Sequence, residues 1–322
     1  MTSLMDAMVD PDILYSGVHF KRRQEDWMAD RLSQLPDEIL AFVLSFLSIR
    51  DAVRTRALSC RWRHLSPSLS ALQFTSLSLF GRKDARNRTI KLDYQSKFVR
   101  AVDQFLKLYR GRNINTLEVH FALGNTFACH IDNWIKFVAE MKIERIDMDF
   151  DFMLLRKGDQ RYEFPCYLLP AGDASYLKHL RLGSCLLMLS SSSACQLGSL
   201  STLELCDVKV SPSGLNTIFS SCVNLISLKL LRSTLPTTLH INGQLPSLKT
   251  LVIESFDPME LGLSSMTLEN FVFKGDADFS CCNVPFLKKV LLFSSGLWIF
   301  GKLALNIPQV QDLCLLINDQ VS

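Results

Sequence analysis

Most of the features that announce an enzyme are missing from this chain of 322 residues. There is no glycine-rich phosphate loop, no G-x-S-x-G and no H-E-x-x-H, so the frames that hold a phosphate, an acyl-transfer serine or a catalytic zinc are absent. No apolar run reaches the about 20 residues that a membrane helix needs. The most apolar window, Val290 to Gly301, ends at Lys302 and has strand-like character. The opening MTSLMDAMVDPDILYSG carries acids inside its apolar part and is not a secretory signal. An intracellular chain, nuclear or cytoplasmic or both, with no membrane partner is expected, and in such a chain the sequon Asn87-Arg88-Thr89 has no meaning. The ten cysteines form no C-x-x-C pair, and no histidine stands at zinc-finger distance from them, which reads as reduced thiols filling small positions. Only the vicinal Cys281-Cys282 pair has redox potential. A net charge of +3 does not call for a nucleic-acid partner, and the basic run Arg82, Lys83, Arg86 and Arg88 has no interleaved aromatics to stack bases.

Oxygen-rich sites are as scarce. Asp147, Asp149 and Asp151 alternate along one face of a strand, where carboxylates could converge on a hard cation. A solvent-facing polar edge opposite buried Ile146, Met148 and Phe150 accounts for the same spacing. No metal, no cofactor and no catalytic residue are expected.

What the chain does have is apolar surface in two patterns. The first lies in Asp30–Leu65. Pro36 suits a first helical turn and Asp37 and Glu38 suit its dipole, so a helix is predicted over Pro36–Leu47. At about 100° per residue, Ile39, Leu40, Phe42, Val43, Leu44, Phe46 and Leu47 cover an arc of roughly 200°, twice the stripe that one core requires. Ser48 with Asp51 makes a capping box for a second short helix, and Ser59 can cap a third that carries Trp62 and Leu65. Three helices in fewer than about 40 residues rarely fold without further support. Part of this apolar arc therefore needs a partner.

The segments Leu35-Pro36-Asp37-Glu38-Ile39-Leu40, Val43 to Leu47, Asp51 to Thr55 and Leu58-Ser59-Cys60-Arg61-Trp62-Arg63-His64-Leu65 resemble, in order and spacing, the plant-type F-box. Cys60 stands where that family usually has Lys, and Ser66 where a second Trp commonly follows. The resemblance implies docking on the Skp-type adaptor of a cullin-RING ubiquitin ligase through Leu35, Pro36, Ile39, Leu40, Val43, Leu44, Val53, Leu58 and Trp62.

The second pattern is a repeated phrase, apolar-x-x-apolar-x-apolar, the strand signature of a leucine-rich repeat. Nine copies run from Ile114-Leu117-Val119 to Val310-Leu313-Leu315. The first two intervals are long and contain the helical patterns Phe98–Tyr109 and Ile131–Met141; later ones allow a brief helix, as in Pro212–Cys222, or loops. The expected fold is an α/β solenoid: a leader over 1–29, a three-helix unit over 30–70, and irregular repeats over 71–322 with a parallel sheet on the concave face. Alternation sends Glu118, Asp147, Arg181, Glu204 and Lys229, then Val252, Val272, Leu291 and Cys314, to that face, with Phe293 and Leu316 extending its apolar part.

Asn133 to Val138 leading to Ile143 to Met148, Phe164 to Leu169 ahead of Leu177 to Leu182, and Ser220-Ser221-Cys222-Val223-Asn224-Leu225 are similar to the plant F-box proteins with leucine-rich repeats. Many members carry a further C-terminal domain, for which this chain is expected to lack room. The resemblance implies a non-catalytic, substrate-recruiting subunit of an SCF-type ubiquitin ligase. Its partners are the adaptor, through it a cullin, and an unidentified protein substrate gripped at Arg181, Glu204, Lys229, Val252, Val272, Leu291 and Phe293. The alternative is a repeat scaffold that binds a protein without degrading it, its F-box weakened by Ser66.

Overall fold

The computed structural model describes residues 34–45, 47, 51, 54–55, 61–62, 70–80, 92–109, 114–151, 154, 158–169, 175–189, 197–294 and 308–317. The leader, Val53, Leu58, Cys60, Ser66 and the basic run from Arg82 to Arg88 lie outside these residues, as do the side chains of Cys281 and Cys282.

The first helix, α1, spans Asp37–Ser45. It starts where Pro36 predicts, the Pro36 carbonyl accepting from the Ile39 and Leu40 amides. Leu40, Leu44 and Trp62 close a small core of their own, with Leu35 and Leu47 packed against it. Arg61 fastens the start of the helix: its Nε donates to Asp37 Oδ1 at 2.7 Å, and its guanidinium also reaches the Leu35 carbonyl. Arg61 and Trp62 are consecutive, so one turn both fills the core and pins the helix entry.

The rest is organised by one ten-stranded sheet. Its strands are β1 (Ala71–Thr75), β2 (Thr116–His120), β3 (Arg145–Asp149), β5 (His179–Gly183), β7 (Thr202–Cys206), β9 (Ser227–Leu231), β11 (Thr250–Glu254), β13 (Asn270–Lys274), β15 (Lys289–Ser294) and β16 (Asp312–Ile317), adjacent in that order. Every pairing is parallel, and from β1 to β16 no residue slips in register. The nine phrases of the sequence account for β2 to β16. β1 is a tenth strand, and Leu69-Leu72-Phe74 carries the same phrase.

Because side chains alternate across a strand, two rows point inward along the sheet, except at the last strand, β16, where Leu313 and Leu315 are exposed. Leu117, Ile146, Leu180, Leu203, Leu228 and Leu251 form one row and Val119, Met148, Leu182, Leu205, Leu230 and Ile253 the other, all buried. Burying each such side chain contributes about 1.5–3 kcal/mol, and only stacking achieves it, since a single repeat has nothing to lie against.

What covers this core changes along the chain. At the start it is helices: α2 (Ser76–Phe80), α3 (Leu92–Leu108) and α4 (Ala128–Ala139). Phe98 of α3 stacks on Phe121 at 4.0 Å and meets Trp134 of α4 edge-on. Asp103 ties α3 to α4 by accepting from Trp134 Nε1 at 2.8 Å while also bonding His130 Nδ1 at 2.7 Å. α3 begins earlier than the apolar pattern predicts because an acid at its first turn and the Asp93–Lys97 pair support polar turns. α5 (Pro212–Ser221) falls where expected, capped by Ser211, whose Oγ accepts from the Gly214 amide at 3.0 Å.

The second interval and the later ones also hold strands that were not expected. Two further parallel sheets form there, one of β4 (Glu163–Phe164), β6 (Leu186–Leu187) and β8 (Lys209–Val210), the other of β10 (Thr238–Asn242), β12 (Met259–Ser264) and β14 (Ala277–Asn283). Leu239, Ile241, Leu261 and Phe279 point inward from the second of these, and Phe279 packs edge-on against Phe271 and Phe273 of β13. Intervals of about 20 residues leave too little chain for a helix, yet an extended segment stacks on its neighbour in the next repeat. Single-interval reading misses it because the pairing lies between repeats. No helix among the described residues is long and apolar enough to cross a membrane.

Leu228→Ala, in the middle of the inward row, should lower unfolding free energy by about 2–5 kcal/mol. Thr250→Ala, on the opposite face, should stay within about 0.5 kcal/mol. Urea unfolding followed by circular dichroism measures both.

Candidate functional site

Two surfaces remain after the cores are filled. On and around α1, the nine side chains expected to touch an adaptor are divided. Leu40, Leu44 and Trp62 are buried in the small core of the chain by itself: a unit this short uses its largest apolar groups to hold itself together. Ile39 is 45% exposed, Pro36 is exposed, and Leu35 and Val43 are half-buried. Phe42, left out of the expected contacts although it lies on the apolar arc, is 58% exposed. Val53 and Leu58 lie outside the described residues.

The second surface is the outer face of the long sheet. The residues singled out from alternation form one unbroken row through the register: Glu118, Asp147, Arg181, Glu204, Lys229, Val252, Val272, Leu291 and Cys314. Phe293 stands in the next row, beside Lys274 on one side and Leu316 on the other. The row divides into a charged half and an apolar half. Against the apolar half lies an open groove of about 560 Å³ whose lining includes Asn270, Val272, Lys289, Leu291, Asp312 and Cys314.

The charged half is a chain of ion pairs across five strands. Arg181 is its centre, with NH1 donating to Asp147 Oδ1 at 2.8 Å, NH2 to Asp149 Oδ2 at 3.1 Å and Nε to Glu204 Oε1 at 3.1 Å. Lys229 holds the other oxygen of Glu204 at 3.0 Å. At the far end, His120 Nε2 lies 2.8 Å from the same Asp147 Oδ1, and its Nδ1 lies 3.4 Å from Glu118 Oε1. Half-burial works against the charge on Asp147, but the hydrogen bonds from His120 and Arg181 outweigh it and hold its carboxyl below the usual range. Burial likewise opposes the charge on Arg181, and Asp147 and Asp149 more than offset it. The hydrogen bond to Asp147 raises the imidazole of His120 despite burial.

This arrangement answers the question raised by the three aspartates. Asp147 and Asp149 converge on a cation, and the cation is the Arg181 guanidinium of the next strand. Asp151 lies beyond the strand end at a positive φ of 39°, with its carboxyl raised by burial and by Asp149. Gly183 makes the convergence possible. A Cβ there would sit 2.4 Å from the Asp149 carboxyl carbon, so the absent side chain is the space through which Asp149 reaches Arg181. His120 was missed because it reads as an isolated histidine. The available signal was its place two residues after Glu118, on the same strand face.

Cys166, Cys185 and Cys222 are buried in the core. Burial pushes Cys166 and Cys222 up to about 12 and raises Cys185 as well, which leaves them as inert packing groups.

Gly183→Ala should destabilise the repeats by about 1–3 kcal/mol. In an Asp149→Ala background the same change should cost much less, and a double-mutant cycle from denaturant unfolding reads the difference.

Comparison with known proteins identifies both units. Residues 32–73 match the F-box domain, and residues 105–321 match the family described as At1g61320/AtMIF1, LRR domain. Among curated relatives, the putative F-box protein At1g49610 of Arabidopsis thaliana is 32% identical over 232 residues, 70% of this chain and 50% of that protein. The Arabidopsis F-box/FBD/LRR-repeat protein At5g56420 is 28% identical over 263 residues, 81% of this chain and 54% of that one. The putative F-box/LRR-repeat protein At1g56400 is 28% identical over 172 residues, 52% of this chain and 35% of its own length. The chain thus spans from about a quarter to about a half of the length of the curated relatives it matches. With an F-box at residues 32–73 and a parallel repeat array matched over residues 105–321, the chain belongs to the plant F-box/leucine-rich-repeat proteins.

Proposed function

We propose that this protein is the substrate-recruiting, non-catalytic subunit of an SCF-type ubiquitin ligase, working inside the cell. Residues 30–70 dock on a Skp-type adaptor, and residues 71–322 hold a protein substrate. The observation that supports it best is the division of α1. Leu40, Leu44 and Trp62 satisfy a core while Ile39 and Phe42 remain outward, and apolar side chains of this size at a surface are what a partner buries. Nothing in this role needs a nucleophile on the chain, because tethering a substrate raises its concentration at the ligase.

On the repeats, the apolar half of the outer face, Val252, Val272, Leu291 and Phe293, is the better anchor for a substrate. Arg181, Glu204 and Lys229 are already engaged with one another, so a partner there must replace bonds rather than add them. Interface cores are depleted of charge and enriched in apolar groups.

Ile39→Ala with Phe42→Ala should weaken adaptor binding at least about tenfold, equivalent to about 1.4 kcal/mol, in calorimetry with a purified Skp-type adaptor, while the urea midpoint of the repeats stays unchanged. An unaltered dissociation constant would exclude this helix face as the contact. If the unmodified protein captures neither adaptor nor cullin but still binds a protein through Val272 and Leu291, the non-degradative scaffold becomes the better description.

A further inference from the structure

The two ring nitrogens of His120 both face carboxylate oxygens, Nε2 towards Asp147 at 2.8 Å and Nδ1 towards Glu118 at 3.4 Å. A neutral imidazole carries one N–H and presents a lone pair at the other nitrogen. Only the imidazolium can satisfy both acids. We propose that His120 is a proton-operated clasp: protonated, it bridges Glu118 and Asp147 and closes the ion chain across the outer face; on losing its proton it opens the β2–β3 end of that face.

Among the described residues, no cation but His120 lies between Glu118 and Asp147. On its own strand it faces Glu118. From β3 it faces Asp147, its hydrogen-bond partner, and Asp149, its partner in register, while Arg145 stands at the far end of that strand, in register with Thr116. From β1 the register brings Thr75, flanked by Gln73, and neither titrates. Among the described residues, the cation that acts on His120 is Arg181 on β5, which is already engaged with Asp147, Asp149 and Glu204. Among the described residues of this face, the four acids Glu118, Asp147, Asp149 and Glu204 outnumber Arg145, Arg181 and Lys229 whenever His120 is neutral. Its protonation offsets that excess, and the raised basicity of the ring agrees with the geometry. The histidine is also placed to respond to solvent, being half-buried rather than sealed.

The sign of the effect follows. A group that is more basic in the folded than in the unfolded state stabilises the fold fully below its unfolded pKa of about 6.5, and that contribution fades as pH rises through the folded value. The outer face therefore becomes more negative and looser at β2–β3 as pH moves upward through the neutral range. The consequence for binding rests on the outer face being the substrate-holding surface, but the clasp itself is a property of the chain alone and stands or falls without any partner.

The test is an NMR titration of the histidine ring protons of the whole chain, with His120→Gln to assign the resonance. The expected midpoint for His120 lies above 6.5. Asp147→Asn should move it down by about one pH unit, a tenfold change in proton affinity, and Glu118→Gln should move it down by less. A midpoint at or below that of an exposed histidine, or one unmoved by both substitutions, overturns the clasp. Should Asp147→Asn fail to fold, urea unfolding decides. The unmodified chain should exceed His120→Gln in midpoint at pH 6, and the gap should close by pH 9. A gap independent of pH overturns the proposal.

Discussion

The parallel register of the long sheet is the constraint on which everything else depends. Ten strands pair without a slip, and a shift of one residue in any of them would exchange its inward and outward side chains. The inward rows are almost uniformly apolar, so a slipped strand would bury charge and expose leucine. That penalty fixes the outward rows as firmly as the inward ones. Glu118, Asp147, Arg181, Glu204 and Lys229 meet because the leucines beside them have nowhere else to go.

From that register follow the two characters of the outer face. Where consecutive strands present acids beside bases, the strand spacing of about 4.8 Å lets long side chains reach across one or two neighbours, and the result is a linked chain rather than isolated pairs. Where they present Val252, Val272 and Leu291, no such satisfaction is available within the sheet. The same fold thus makes one half of the face self-sufficient and leaves the other half open to a partner. The F-box repeats this division on a smaller scale, with Leu40 and Leu44 inward and Ile39 and Phe42 outward on one helix.

Much of this was legible in the residues. The repeated phrase located nine strands and correctly assigned the outer row, since alternation is a local property. The tenth, β1, carries the phrase but stands closer to the F-box than to the repeats, and it was passed over. The coverings were read well where they are helices, as in α4 and α5, because a helical stripe is visible in one segment. They were misread where they are strands, because β10, β12 and β14 are defined only by pairing between repeats. The functional groups divide in the same way. Arg181 was expected to be available, yet it is bound by three carboxylates. Gly183 and His120 attracted no notice, because one matters for the space it leaves and the other for what stands on the neighbouring strand.

The sequence alone determined the kind of architecture and the faces of its strands and helices, because periodicity is set by local backbone geometry. It also determined that the first helix has more apolar surface than one core can use. Tertiary structure alone decided which of those apolar side chains the core takes, which carboxylates Arg181 gathers, and that a histidine stands between two acids. Those outcomes depend on distances between residues tens of positions apart, set by stacking of repeats rather than by spacing along the chain.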